Sequence, residues 1–436
     1  MLIGQFPVEK FASLRTPFYY YDLPLLRRTL DKIRECIEPY PQFHVHYAVK
    51  ANFNGRILQE ISRCGFGADC VSGGEIRAAL QNGFAPESIV YAGVGKSDEE
   101  ILLALDAEIA RFNVESAAEL EVINELALSR GVVAPVSLRV NPDIGAHTHA
   151  NITTGLAENK FGINYEQLPG VIELADSLPG VEYKGLHFHI GSQILEMDDF
   201  VALCNRINVL AEQILRQRRG RLAGAGAGAA SGVARAGCAG CAGVAGFDAA
   251  SGVAGFDATA GVAGAGCAAS VLGDINVGGG LGINYYHPNH LDVAAFSQYF
   301  ETFARHLKLP EGTPVHFELG RSVVAPCGSL ISRVLYIKEG TTRRFAIIDA
   351  SMTELIRPAL YKAYHRVENI SSYEPEEVYD VVGPVCESSD VFAKGVSIDK
   401  CHRGDFIAIR SAGAYGESMS SQYNCRPLPA CFFKED

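Results

Sequence analysis

The chain has 436 residues with 50 acidic against 38 basic side chains, a formal net charge of −12. That length allows two domains, or one barrel plus a smaller module, and the acidic surplus disfavours nucleic acid or an anionic membrane as partner, which leaves a small-molecule enzyme as the leading class. The opening "MLIGQFPVEKF" lacks a basic segment followed by an apolar core, so no secretory signal is expected and the twelve cysteines read as thiols of a reducing compartment, the cytoplasm.

In chain order, "TPFYYYDL" reads as a strand expected to pair with a β domain further on. "FHVHYAVK" at 43–50 alternates apolar and polar residues and ends on Lys50, a residue type that is ordinarily solvated surface in such a place. Seven more short apolar runs follow: "GADCVS" at 67–72, "SIVYAG" at 88–93, "ARFNVES" at 110–116, "VSLRVNPD" at 136–143, "GLHFHIGS" at 185–192, "DINVGGG" at 274–280 and "VHFELGR" at 315–321. Most gaps carry helical periodicity, as in "GRILQEISRCG" and "DVAAFSQYFETFARHL", and Ser72 with Glu75, Ser97 with Glu100 and Ser116 with Glu119 read as capping boxes. Eight alternating units imply a (β/α)8 barrel, whose catalytic groups come from the C-terminal strand ends.

Beyond Ser322 the pattern turns to strands without long helices: "LISRVLYIKEG", "RRFAIIDAS", "EEVYDVVGPVC", "DFIAIRSAG" and "LPACFFK". These predict an antiparallel β domain. The expected division is a barrel over 24–320 and a β domain from 1–23 and 321–436. Residues 222–270 fit neither, since 32 of these 49 residues are Ala or Gly with a nine-residue period, and the segment reads as a disordered low-complexity insertion. It is too poor in large apolar residues for a membrane span, and Cys238 with Cys241 has no second pair beside it for zinc, so no metal is expected.

The strand ends collect Lys50, Asp69, Arg139, His189, Gly278, Gly279, Gly280, Glu318 and Arg321. With "YAVKAN", "VNPD", "ENKFGI", "HIGSQI", "NVGGGLGINY", "ELGRSVVA", "LIRPALYKAYH", "GPVCESSDVF" and "GAYGESMSSQYNCRP" in this order, the chain from Thr16 to Phe433 resembles the fold-type III pyridoxal-phosphate decarboxylases, which share the alanine racemase-like fold, and among them the diaminopimelate-decarboxylating family.

The resemblance implies a lyase that decarboxylates meso-2,6-diaminopimelate to L-lysine, with pyridoxal 5'-phosphate as electron sink. It places the Schiff-base amine on Lys50 and the partner of the pyridine nitrogen on Glu318. Gly278 to Gly280 and Ser192 are implied at the phosphate, where glycines admit close backbone approach, although a glycine triplet alone equally fits a tight turn. His189 is implied to stack on the cofactor ring, while His187 reads as a core group. Asp69 and Arg139 match positions beside the Schiff base, and a structural ion pair is an equal reading of each. Arg321, Arg357 and Tyr361 are implied to bind the remote head of the substrate, with Glu387 accepting from its ammonium and Tyr415 touching cofactor and substrate. Cys386 is implied to return a proton, in an active site shared across a homodimer. Two departures are Leu319, where relatives carry proline, and Glu417, where an apolar residue is usual. Rival readings are a decarboxylase of ornithine, arginine or carboxynorspermidine, and a non-catalytic cofactor-binding regulator; the latter has no need of Lys50, Cys386 and Glu318.

Overall fold

The computed structural model describes residues 6–144, 160–228 and 271–435. β1 (Phe18–Asp22) is followed by β2 (Phe43–Ala48), β3 (Gly67–Cys70), β4 (Ile89–Tyr91), β5 (Arg111–Val114) and β6 (Ala134–Asn141). The short β7 (Ile163–Asn164), β8 (Val181–His187), β9 (Asp274–Asn276) and β10 (Val315–Leu319) come next. β2, β3, β4, β5, β6, β8, β9 and β10 pair in that order, all parallel, and β10 closes onto β2, with β7 added beside β6. The eight expected barrel strands are all present.

The helices between them form for the local reasons read from the sequence, with one refinement. All three serines cap, but only Ser97 and Glu100 form the reciprocal box. Glu75 and Glu119 instead accept from the N–H groups of Val71 and Glu115, one residue earlier, and so tie the preceding strand end to the helix start. The helix Val293–His306 buries Phe296, Tyr299, Phe300 and Phe303, and the last three crowd Phe317 of β10 edge-on at 5.0–5.8 Å. Each such ring removed from water is worth about 1.5–3 kcal/mol. The helix Met197–Gly228 runs into the Ala/Gly tract, and residues 229–270, with the Cys238–Cys241 pair, lie outside the described residues.

The second sheet is built on β11 (Gly328–Glu339), which pairs with β1, β12 (Arg344–Ile348) and β16 (Phe406–Ile409), all antiparallel. β13 (Val367–Asn369) lies beside β16, while β14 (Glu376–Val382) and β15 (Val391–Asp399) continue from β12. β17 (Ala430–Lys434) runs parallel to β1, so "TPFYYYDL" joins this sheet as expected. β12 and β14 are the other parallel pair. The sequence reading missed β13 and β15.

The barrel interior is polar at its N-terminal end, where branched apolar side chains usually pack. His46 Nδ1 lies 3.1 Å from the Ser88 carbonyl and Nε2 lies 3.0 Å from His316 Nδ1, while His316 Nε2 lies 3.2 Å from Asp274, which also holds Arg111. Burial and the adjoining His316 push His46 down to about 3. The folded state therefore refuses a proton that the unfolded chain takes up below about pH 6.5, and stability falls as the pH drops from there toward 3. The expected result is a melting temperature that declines over this window, with a smaller slope in His46→Gln. An unchanged slope in that variant would assign the acid loss to other groups.

Candidate active site

Lys50 leaves the barrel at the end of β2 in a single tight turn, Val49–Ala51. Its Nζ is 3.2 Å from Asp69 Oδ2 at the end of the neighbouring β3. The lysine side chain is 39% exposed toward the open end of the barrel, whereas Asp69 is fully buried. Burial opposes the ammonium, but Asp69, Tyr415 and Glu318 more than offset it and hold the amine above the ordinary lysine range. Burial and the Glu318 charge push Asp69 up to about 6. The pair therefore stands as an ammonium beside a carboxylate, with the proton on the amine.

Glu318 sits in β10, facing inward and buried. His187 Nε2 is 3.2 Å from Oε2, and Asn276 and Asn113 donate to Oε1 at 2.8 and 3.4 Å. Burial alone raises its pKa, yet His187 and Lys50 outweigh that and keep the carboxyl well below the usual range. His187 is thus more than a core group, since it holds Glu318 ionised.

Asn276 also accepts from the Gly278 N–H at 2.8 Å, which couples Glu318 to the glycine run. That run is squeezed between the end of β8 and the backbone of β10. A Cβ on Gly278 would lie 2.2 Å from the Phe188 carbonyl, and one on Gly279 would lie 1.8 Å from that of Glu318. Gly278 also has φ +71°, so no side chain fits this close backbone approach. The Gly279 N–H donates to His189 Nδ1 at 3.3 Å, which leaves the ring hydrogen on Nε2, and burial and Arg139 hold this imidazole neutral. Ser192 Oγ accepts from Arg321 at 3.1 Å and keeps its own hydrogen for an anion.

Arg139 pairs with Glu115 at 2.8 Å and lies over the Phe161 ring at 4.8 Å. Arg139 thus forms a buried ion pair at the end of β6. Tyr415 adopts φ +55°, donates its N–H to the Ala51 carbonyl at 2.8 Å, and lies with its ring 4.8 Å from Arg321. A left-handed tyrosine carries a conformational cost of order 1 kcal/mol, of the sort found at functional sites.

Arg321, Arg357 and Tyr361 line one cavity of about 260 Å3 with Gln193, Tyr285 and Tyr286. Among the described residues neither arginine has a carboxylate partner, although each is at most 7% exposed. Arg321 donates to the Tyr285 hydroxyl at 2.9 Å, and Arg357 lies 2.7 Å from His365. Two buried guanidinium groups without a counter-ion make a cavity built for an anion. A larger cavity of about 720 Å3 opens at the opposite barrel end around His44, His46 and His316, away from these groups.

Cys386 and Glu387 stand apart. Both are exposed on the loop after β14 and neither lines the arginine cavity. The Cys386 N–H donates to Asn424 at 3.3 Å, and the Tyr423 hydroxyl donates to Glu387 at 2.7 Å. Glu417, without an explanation from sequence, accepts from Tyr21 at 2.6 Å and from Asn54 at 3.0 Å, and so clips the C-terminal loop to β1 and the barrel.

A closed parallel barrel with an amine, an ionised carboxylate and a glycine cradle at its open end is the architecture of the pyridoxal-phosphate decarboxylases. The glycine cradle, the free hydrogen of Ser192 and the held Glu318 carboxylate fit that cofactor. The family model "Pyridoxal-dependent decarboxylase, pyridoxal binding domain" matches residues 26–218. The diaminopimelate decarboxylase of Bacteroides thetaiotaomicron is 52% identical over 433 residues, 99% of each chain, and that of Aquifex aeolicus is 35% identical over 97% of this chain and 87% of its own. A crystal structure of diaminopimelate decarboxylase from Helicobacter pylori complexed with L-lysine superposes with TM-score 0.79 at 34% identity, covering 98% of this chain and 94% of the other. The chain belongs to the diaminopimelate decarboxylase family.

Proposed function

We propose that this protein decarboxylates meso-2,6-diaminopimelate to L-lysine and carbon dioxide, the last step of lysine biosynthesis, in the cytoplasm. The observation that carries this reading is the pair of buried arginines that have no carboxylate partner among the described residues, because a substrate with a second amino acid head brings an anion to them. A simple diamine precursor such as ornithine has no carboxylate at that end.

Bound pyridoxal phosphate supplies an electron sink for the pair left when carbon dioxide departs. Lys50 would hold it covalently, Gly278 to Gly280 and Ser192 would hold its phosphate, and His189 would contact its ring. Glu318, kept ionised by His187, Asn276 and Asn113, would hold a proton on the pyridine nitrogen. Asp69 holds the Lys50 amine in place through its ion pair, and Arg139 fixes the wall through Glu115. Tyr415 shields the amine on the side of the second sheet. Arg321, Arg357 and Tyr361 orient the remote head, whose ammonium is received by Glu387, and the Cys386 thiol returns a proton to the reacting carbon. Because Cys386 and Glu387 are exposed and away from their own chain's cavity, they serve the site of a second copy in a twofold homodimer. The barrel then spans 24–320, and the second domain combines 1–23 with 321–436.

Incubating purified protein with meso-diaminopimelate and pyridoxal phosphate should release L-lysine and carbon dioxide; turnover of ornithine at an equal rate would overturn the assignment. Arg357→Ala should raise KM for diaminopimelate by roughly a hundredfold, the effect of leaving a substrate charge unpaired in a closed site. The visible cofactor absorbance should be unchanged in that variant.

A further inference from the structure

The partner of Arg357 is a ring where a carboxylate would be the usual choice. His365 Nε2 is 2.7 Å from Arg357 Nη1, and on the other side its Nδ1 is 2.9 Å from the carbonyl of Arg410, the residue after β16. A carbonyl only accepts, so Nδ1 carries the hydrogen and Nε2 presents its lone pair to the guanidinium. The backbone of the second sheet therefore dictates the tautomer. His365 is 1% exposed, and burial together with Arg357 pushes it down to about 3, so the ring stays neutral.

Tyr285 completes the support. Its ring packs edge-on against His365 at 5.0 Å and lies 4.9 Å from the Arg357 guanidinium, while its hydroxyl accepts from Arg321. Both arginines are thus held by neutral acceptors. A glutamate or aspartate at position 365 would hold Arg357 just as firmly, but would neutralise it before any ligand arrived.

We propose that His365 is a positioning residue that sets selectivity for a substrate carboxylate: it fixes Arg357 through a hydrogen bond that leaves the guanidinium charge uncompensated. This rests on the reading of Arg321 and Arg357 as the receptor for the remote carboxylate. The role is distinct from general packing. A glutamine preserves it, by accepting from Arg357 and donating to the Arg410 carbonyl, whereas a glutamate fills the same space and abolishes it.

The test measures binding of L-lysine and of cadaverine, the same chain without the carboxylate, to the cofactor-loaded protein by calorimetry, alongside kcat and KM for diaminopimelate. In the unaltered protein L-lysine should bind more tightly than cadaverine. His365→Glu should reduce that preference about tenfold or more and raise KM in step, with kcat within about threefold, as expected when a competing charge occupies a buried guanidinium. His365→Gln should keep both preference and KM within about threefold of the unaltered protein. If the unaltered protein shows no preference for L-lysine, the arginine reading itself fails, and the proposal with it. If it shows the preference and His365→Glu retains it, the proposal for His365 fails alone. Should His365→Glu not fold, His365→Phe replaces it: lost preference in Phe with recovery in Gln supports the role, and equal preference in both overturns it.

Discussion

Lys50→Ala should yield a folded protein with no visible absorbance band after incubation with pyridoxal phosphate and with kcat lowered at least about a thousandfold, the scale of losing a covalent catalytic group. The expectation follows from the position of the amine. The turn Val49–Ala51 carries it out of β2 to the open end of the barrel, where it is the accessible member of a pair with buried Asp69. Lys96, another lysine on this side, is 1% exposed and tied to Glu119 and to the carbonyls of Gly93 and Asn113, so it is unavailable for bonding to a cofactor. Borohydride treatment of the unaltered protein should therefore fix the cofactor to Lys50, and peptide mapping should find the added mass there. An adduct on Lys96 or on any other lysine would show that the amine has been misassigned. The fold should survive the substitution, because the turn is held by Asn52, whose side chain donates to the Tyr21 hydroxyl and the Gly413 carbonyl, both at 2.9 Å.

The barrel was legible in the sequence because its signal is periodic and repeated. Eight strands each carry their own apolar run, and the serine caps mark where three helices begin. β15 escaped because only Phe392 and Ile398 of its residues are buried and it contains Lys394 and Gly395, so no apolar alternation marks it. β13 is three residues long and too short for a pattern. Of the site, the residues proposed to meet a ligand were named through the resemblance, whereas the residues that hold them were not. Asn113, Asn276, His187 and Glu115 act through other side chains, and each looks from sequence like an ordinary polar residue. A signal was present, though. Polar residues two apart on barrel strands, as in Asp274 with Asn276, His316 with Glu318 and Asn113 with Glu115, must share the inward face. A polar barrel interior implies a hydrogen-bonded column beneath the site. His365 and Tyr285 lie within motifs that were recognised, but their role depends on a tautomer fixed by a carbonyl 45 residues away, which no local pattern reports.

Mixing Lys50→Ala protein with Cys386→Ala protein should restore activity that neither shows alone. Cys386 and Glu387 face solvent and are held by Asn424 and Tyr423, two residues from a C-terminal segment in which Asn424 and Cys425 adopt φ +54° and +57°. Cys386 is exposed on the loop after β14, and positive-φ backbone of the kind beside it is retained where a surface has work to do. In the proposed homodimer a twofold axis would make the exchange reciprocal, so each copy would give one Cys386 and receive one. Random subunit exchange makes about half of the dimers hybrids, and in each hybrid one site carries both lesions while the other carries none. Activity should therefore return to roughly a quarter of the unaltered level. If Cys386 served the Lys50 of its own chain, every hybrid site would carry one lesion and no activity would return. Differently tagged chains, captured in sequence, establish that hybrids have formed, so absence of recovery in captured hybrids would overturn the shared site.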